Sequence, residues 1–170
     1  SEDEKITRNT YWNVVAIALK LKEYDWTESF IDGYTYQLEE DLRENTQRFA
    51  LANLNYARQK LGPAMRLLVT VDFKHPVYNL SAKTLLAKIY YELKEFDALD
   101  SQLDATLAYI RRKKLAEVQR NNYSNITRTM RQLSRIRPFD KQSVHQLREQ
   151  VTEMNPLTEK KWFLAQIDRF

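Results

Sequence analysis

Residues 51–68 read LANLNYARQKLGPAMRLL, two apolar segments joined by a short polar break. Apolar residues spaced three and four positions apart in each segment are typical of two amphipathic helices that pack as a hairpin. The same order of large and small residues returns 35 residues later and 37 residues earlier. The matching pairs are Leu51-Ala52, Leu86-Ala87 and Val14-Val15, and the matching single residues are Leu54, Ile89 and Ile17. The sequence therefore contains an internal repeat of helical hairpins.

The composition of the 170-residue chain favours helices over strands. The chain contains only two Gly and four Pro, and an all-β fold depends on Gly for its tight turns. Apolar periodicity predicts nine helices separated by short breaks, so successive helices should be antiparallel. We expect an all-α fold with helices at residues 7–22, 26–41, 46–60, 63–73, 79–93, 96–112, 115–136, 140–153 and 157–168.

Three of these helices begin at residues that favour a helix start. Asp25 and Glu28 have the spacing of a capping box, in which two side chains bind the free amides of the first turn. Asp140 is a preferred capping residue, and Pro156 suits the first helical position, where no amide hydrogen is needed. We therefore expect these residues to begin the second, eighth and ninth helices.

The repeat resembles the tetratricopeptide repeat, a two-helix unit of about 34 residues. Leu51-Ala52 resembles the large-small pair of that family's first helix. Ala64 resembles the small residue where the two helices cross, and Pro76 the Pro that ends the second helix. The resemblance implies a right-handed α-solenoid with a C-terminal capping helix. Its units would be hairpins at 7–41, 46–76 and 79–112, a longer atypical hairpin at 115–153 and the cap at 157–168.

The segment from Thr7 to Ile136 is also similar to the C-terminal part of large, poorly characterised helical-repeat proteins of Bacteroidetes bacteria. That similarity implies an architecture and no particular activity. The sequence starts without Met and without the basic and apolar segments of a signal peptide. We therefore expect residues 1–170 to be one helical-repeat unit from a longer chain. The compartment of that chain stays open, with a cytoplasmic location favoured.

Tetratricopeptide geometry implies a concave groove that binds an extended peptide. The residues that would face this groove are Asn53, Tyr56, Lys88 and Tyr91. An Asn side chain can hold a peptide backbone through paired donor and acceptor groups, a Lys can bind a carboxylate, and a Tyr offers a rigid ring with a polar tip. The alternative is that both tyrosines only pack between neighbouring repeats.

Charge is distributed unevenly along the chain. The overall net charge is +4, but residues 1–50 carry −5 and residues 111–148 carry +9. At about 100° per residue, four arginines of the seventh helix share one sector of its surface. These are Arg120, Arg128, Arg131 and Arg135. The forked donors of Arg suit carboxylates and phosphates, so this stripe predicts binding of an acidic protein segment or of nucleic acid, unless it is an ordinary solvated face.

Patterns for catalysis or metal binding are scarce in the sequence. The chain has no Cys and only two His, His75 and His145, which are too few for most transition-metal sites. No Walker A, G-x-S-x-G or H-E-x-x-H pattern occurs. Three Asn-x-Ser/Thr sequons occur, at Asn79, Asn122 and Asn125. The last two fall inside a predicted helix, and all three are interpreted as chance. We expect a non-enzyme without a cofactor or metal.

The sequence thus predicts a non-catalytic scaffold that binds a peptide or protein partner through the concave groove, the arginine stripe or both. The alternative is a protein that binds polyanions or nucleic acid through residues 111–148. Self-association is also expected to be feasible, because the acidic first quarter and the basic 111–148 segment carry opposite charges. No run of apolar residues approaches the ~20 that a membrane-spanning helix needs.

Overall fold

The computed structural model describes residues 5–170. Throughout this range the regular structure is helical, with nine α-helices, one short 3-10 turn and no strand. The prediction of an all-α fold is confirmed, whereas the right-handed solenoid stays a prediction. Contacts divide the chain into two compact units, Ser1–Lys74 and His75–Phe170.

The first unit is built from two helical hairpins. Its helices are α1 (Arg8–Lys20), α2 (Tyr24–Tyr34), α3 (Glu40–Ala57) and α4 (Leu61–Leu68), with a 3-10 turn at Thr35–Gln37. Its core joins the first three helices: Tyr11, Val15, Phe30, Ile31, Leu38, Ala50 and Leu54. Burial of these apolar side chains against one another holds the hairpins together.

The second unit is built from five helices. They are α5 (Pro76–Glu92), α6 (Phe96–Arg112), α7 (Glu117–Arg135), α8 (Lys141–Glu153) and α9 (Lys160–Ile167). A single apolar core runs through all five, and the long helix α7 contributes Tyr123, Ile126, Met130 and Leu133 to it. The short last helix contributes Phe163 and Ile167, which are 0% and 1% exposed. The C-terminal helix is therefore an integral part of this core.

The turns after α1, α3 and α5 have the same geometry. Lys22, Gln59 and Lys94 adopt left-handed φ angles of 60°, 62° and 60°, and each is followed by an amide that bonds a carbonyl five residues back, at 2.8–2.9 Å. This combination is a Schellman motif, which satisfies the last free carbonyls of a helix. The three residues are 37 and 35 positions apart. The internal period found in the sequence is thus also the period of this turn.

The second helix differs most from its prediction, because it ends at Tyr34 and not near residue 41. A 3-10 turn follows at Thr35–Gln37, and Leu38 then has an extended backbone and lies in the core with 0% exposure. Arg43 then donates from its Nη2 and Nε to the carbonyls of Tyr36 (2.7 Å) and Leu38 (3.0 Å). These bonds satisfy carbonyls of the 3-10 turn and of the residue that follows it.

The predicted helix starts had mixed outcomes. Asp140 caps α8 as expected and accepts a bond from the Ser143 amide at 3.1 Å. Asp25 and Glu28 form no capping box, because α2 begins at Tyr24 and Asp25 lies inside its first turn. Both carboxylates instead bind the guanidinium of Arg58, at 2.7 and 3.1 Å. Pro156 precedes α9 by four residues and begins no helix.

Pro76 begins α5 and does not end a helix, since α4 has already ended at Leu68. Among residues 5–170, no helix is both long enough and apolar enough to cross a membrane.

Candidate functional site

The four residues predicted to face a peptide groove are divided between the two units. Asn53 and Tyr56 lie on α3 of the first unit, where both are half-buried and the Asn53 amide donates to the Phe49 carbonyl of its own helix at 2.9 Å. Lys88 and Tyr91 lie on α5 of the second unit. The two pairs therefore belong to different compact units.

In the second unit, the C-terminal segment covers Lys88 and Tyr91. The Lys88 ammonium lies 3.0 Å from the Glu159 carboxylate, and both side chains are largely buried, with 14% and 29% exposure. It also lies 5.8 Å from the centre of the Trp162 ring. The Tyr91 ring packs edge-on against Trp162 with centroids 5.5 Å apart, and its burial raises the pKa of the phenol. The expected Lys–carboxylate and ring contacts thus form with the chain's own residues.

Two asparagines of α7 hold the backbone of the same segment. Asn122 receives the Thr158 amide on its Oδ1 at 2.9 Å and donates from its Nδ2 to the Thr158 hydroxyl at 3.0 Å. One turn later, the Asn125 Nδ2 donates to the Pro156 carbonyl at 2.9 Å. Leu157 lies between these two points and is 7% exposed. We call these contacts the asparagine clamp.

The sequence analysis missed the asparagine clamp and treated Asn122 and Asn125 only as chance sequons. A signal was nevertheless present, because Asn is unfavourable inside a helix and two of them lie one turn apart near the middle of α7. Such residues are retained where their side chains have partners beyond their own helix. In the second unit, the polar side chains of Asn122, Asn125 and Lys88 therefore bind residues 156–159 of the same chain.

The arginines of α7 line a separate, open groove between α6, α7 and α8, which we call the basic groove. Its volume is about 500 Å³. The lining residues are Leu107, Thr127, Arg128, Arg131, Gln132, Arg135, Ile136, Ser143, Gln146, Leu147 and Gln150. Three of them are cationic and none is acidic, while the others supply neutral amides, hydroxyls and aliphatic side chains. This combination suits a ligand with negative charge and some apolar surface.

Two of the three groove arginines are held by carboxylates of α6. The Arg131 Nη2 lies 2.5 Å from Asp104 Oδ1, and the Arg135 Nη2 lies 3.8 Å from Asp100 Oδ1. Arg131 and Arg135 are four residues apart on α7, as Asp100 and Asp104 are on α6, so the pairs form a short antiparallel ladder. These ion pairs reduce the positive field that a ligand meets.

Arg128 continues the arginine row one turn beyond this ladder. The α6 residues at the next step of the ladder are Leu107 and Ala108, which carry no charge. Arg128 is exposed, and its guanidinium has no hydrogen-bond or ion-pair partner within the described residues 5–170. An Arg fork in this state can bind both oxygens of a carboxylate.

Arg120, the fourth arginine of the predicted stripe, lies outside the basic groove. Its Nη1 and Nη2 donate to the carbonyls of Ile110 (2.6 Å) and Lys113 (2.8 Å) at the end of α6. A cation at this position satisfies free helix carbonyls and complements the negative end of the helix dipole. The structure thus brings together three of the four arginines, and the role of Arg120 here is to join α6 to α7.

The amide side chains of the groove are partly preorganised. The Gln150 Nε2 on α8 donates to Gln132 Oε1 on α7 at 2.7 Å, across the groove. Gln146 lines the same wall, one turn before Gln150. Amides can both donate to and accept from a peptide backbone. The groove therefore has groups for an anionic side chain and for the main chain that carries it.

Neither histidine is part of these sites. His75 caps α5, where its Nδ1 accepts a bond from the Val77 amide at 3.3 Å, and the His145 Nε2 lies 3.1 Å from Glu149 on the exposed side of α8. Among residues 5–170, no group of three or more His, Cys, Asp or Glu side chains is arranged to hold a metal ion.

Comparisons of the chain with protein families, with curated proteins and with solved structures give no match. The function of the chain must therefore be inferred from the residues of the basic groove themselves.

Proposed function

We propose that this chain is a non-catalytic protein-interaction module that binds an acidic peptide segment in the basic groove. The observation that carries the proposal is Arg128, an exposed guanidinium in a groove whose lining contains three arginines and no acid. A ligand carboxylate at Arg128 would form a charge-assisted, bidentate pair. Gln146 and Gln150 would bind the ligand backbone, and Leu107 and Leu147 would contact its aliphatic carbon atoms.

The tetratricopeptide-like architecture remains part of the proposal, and the three equivalent turns at Lys22, Gln59 and Lys94 support it. A packed helical framework holds the groove side chains in place before binding, so little conformational entropy is lost when a ligand arrives. The proposal differs from the sequence prediction in one respect, because the asparagine clamp and Lys88 already hold residues 156–159. We therefore assign binding to the arginines and not to the Lys88–Tyr91 surface.

A peptide fits the basic groove better than a nucleic acid does. Two of the three groove arginines already have an acidic partner within 4 Å, and the affinity of proteins for nucleic acid depends on the number of cations that neutralise phosphates. Binding to single strands also uses aromatic rings as stacking platforms. The groove lining contains no aromatic residue.

The test is a titration with an acidic peptide that carries a neutral fluorophore, followed by fluorescence anisotropy at low salt. Arg128→Gln removes the proposed anchor, and Arg111→Gln is the matched control, since Arg111 is exposed on α6 and lies outside the groove. Because bonds to charged groups contribute about 1.5–3 kcal/mol, we expect Arg128→Gln to weaken binding at least about tenfold. The control should bind like the wild type.

Two results would contradict this function. The first is an absence of binding between the wild-type chain and the acidic peptide at low salt. The second is equal loss of affinity in Arg128→Gln and Arg111→Gln, which would mean that only the general charge matters. In the same assay, tighter binding of single-stranded RNA than of the peptide would favour the polyanion alternative.

A further inference from the structure

Asp100 and Asp104 occupy an unusual position for residues beside an anion-binding groove. They lie on α6 and pair with Arg135 and Arg131, yet they are half or more exposed, with 50% and 73% of their side chains accessible. Ion pairs this exposed contribute little to folding stability. The two carboxylates are therefore not required to stabilise the α6–α7 packing, which the apolar core already provides.

The effect of the two carboxylates on a ligand grows with the charge that the ligand carries. Each carboxylate lowers the positive potential of the groove. The binding energy that a ligand loses is therefore proportional to the number of negative charges that it places there. A peptide with one carboxylate at Arg128 stays beyond the end of the ladder and loses little affinity. A polyanion that spans Arg128, Arg131 and Arg135 must compete with both aspartates for two of these arginines.

We propose that Asp100 and Asp104 determine the specificity of the basic groove, because they reject densely charged polyanions while leaving Arg128 available to a sparsely charged acidic peptide. This inference rests on the proposed function and names the class of ligand that the same site selects. Repulsive groups placed against an unwanted ligand are a general means of achieving specificity. The ladder supplies them without an acidic residue in the groove lining itself.

The experiment compares the wild-type chain of residues 1–170 with Asp100→Asn/Asp104→Asn. Asn keeps the size of each side chain and a hydrogen-bond acceptor for the arginine, but removes the charge. Asp97→Asn is the matched control, since Asp97 is an exposed α6 residue without an ion pair in the described part of the chain. The two probes are an octapeptide with a single Glu and a heparin oligosaccharide, each titrated at several salt concentrations.

We expect the double variant to bind heparin at least about tenfold more tightly than the wild type, with a steeper dependence on salt, because two more arginines are released to bind anions. Its affinity for the single-Glu peptide should change by less than about threefold. The melting temperature and helical content should stay close to those of the wild type. Asp97→Asn should leave both affinities unchanged.

Two outcomes would overturn the inference: an unchanged preference between heparin and peptide in the double variant, or an equal change in Asp97→Asn. A wild-type chain that fails to bind the peptide would instead contradict the proposed function. In that case, the heparin measurement would still decide whether the aspartates reject polyanions, so the two failures can be distinguished.

Discussion

Replacement of Asn122 by Ala should destabilise the second unit, because it removes two of the three hydrogen bonds of the asparagine clamp. Asn122 is only 4% exposed and makes two hydrogen bonds to Thr158, at 2.9 and 3.0 Å. Each bond contributes about 1 kcal/mol, and the Thr158 amide left without its acceptor costs about 1 kcal/mol more. The predicted loss in the free energy of unfolding is therefore about 2–3 kcal/mol.

Urea unfolding followed by circular dichroism measures this loss. The preceding residue provides a matched control. Asn121 is exposed on the same helix, and its side chain makes no hydrogen bond within residues 5–170. Amide hydrogen exchange of residues 155–170 should become faster in Asn122→Ala and stay unchanged in Asn121→Ala. A loss below about 0.5 kcal/mol, or an equal loss in the two variants, would refute the reasoning.

Three further predictions concern the turns, the repeat and the buried tyrosines. Lys94→Gly should raise the free energy of unfolding by about 0.5–1 kcal/mol, measured in urea, because Gly adopts the left-handed turn conformation without steric cost. A lower free energy of unfolding in this variant would count against that conformation. Leu54→Ala should lower the free energy of unfolding by about 2–5 kcal/mol. Ile17 occupies the matching repeat position but is 61% exposed, so Ile17→Ala should cost under about 1 kcal/mol. Similar losses in the two variants would contradict this difference in burial. Burial raises the pKa of the Tyr123 phenol, although its hydrogen bond with Ser81 opposes the shift, so stability should fall as the pH rises above about 10. Tyr123→Phe should lose less stability over that range in pH-dependent thermal unfolding, and an unchanged pH profile would count against this assignment.

Much of the helical framework could be predicted from the sequence, for a physical reason. The spacing of apolar residues records which face of each helix is buried, and this signal is local. The span predicted for α6, residues 96–112, is the observed one. The matching of Leu51, Leu86 and Val14 found the hairpin period, and the turns at residues 22, 59 and 94 repeat with it.

The covering of Lys88 and Tyr91 could not be predicted, because it depends on contacts between residues that are far apart in the sequence. The resemblance to the tetratricopeptide repeat implied that Lys88 and Tyr91 face a groove, and no local signal placed Glu159 and Trp162 against them. The same limit applies to Arg43, whose bonds to Tyr36 and Leu38 hold the 3-10 turn between α2 and α3. In these cases tertiary partners determine the structure, and local propensity does not record them.

The basic groove was predicted in part. Helix periodicity placed Arg128, Arg131 and Arg135 on one face of α7, and the structure has all three lining one groove. The sequence could not reveal that Asp100 and Asp104 neutralise two of them, because that depends on the register between α6 and α7. The availability of Arg128 follows from this register.

The central claim is that the basic groove binds an acidic peptide with Arg128 as its anchor, and NMR tests it most directly. Side-chain signals of Arg and Gln, followed during titration with the acidic peptide, report contact residue by residue. We predict that the Arg128 Nε–Hε signal and the amide signals of Gln146 and Gln150 shift together and saturate, while those of Arg111 and Arg120 stay in place. Shifts confined to residues 111–114, or an unchanged Arg128 signal at saturation, would contradict the claim.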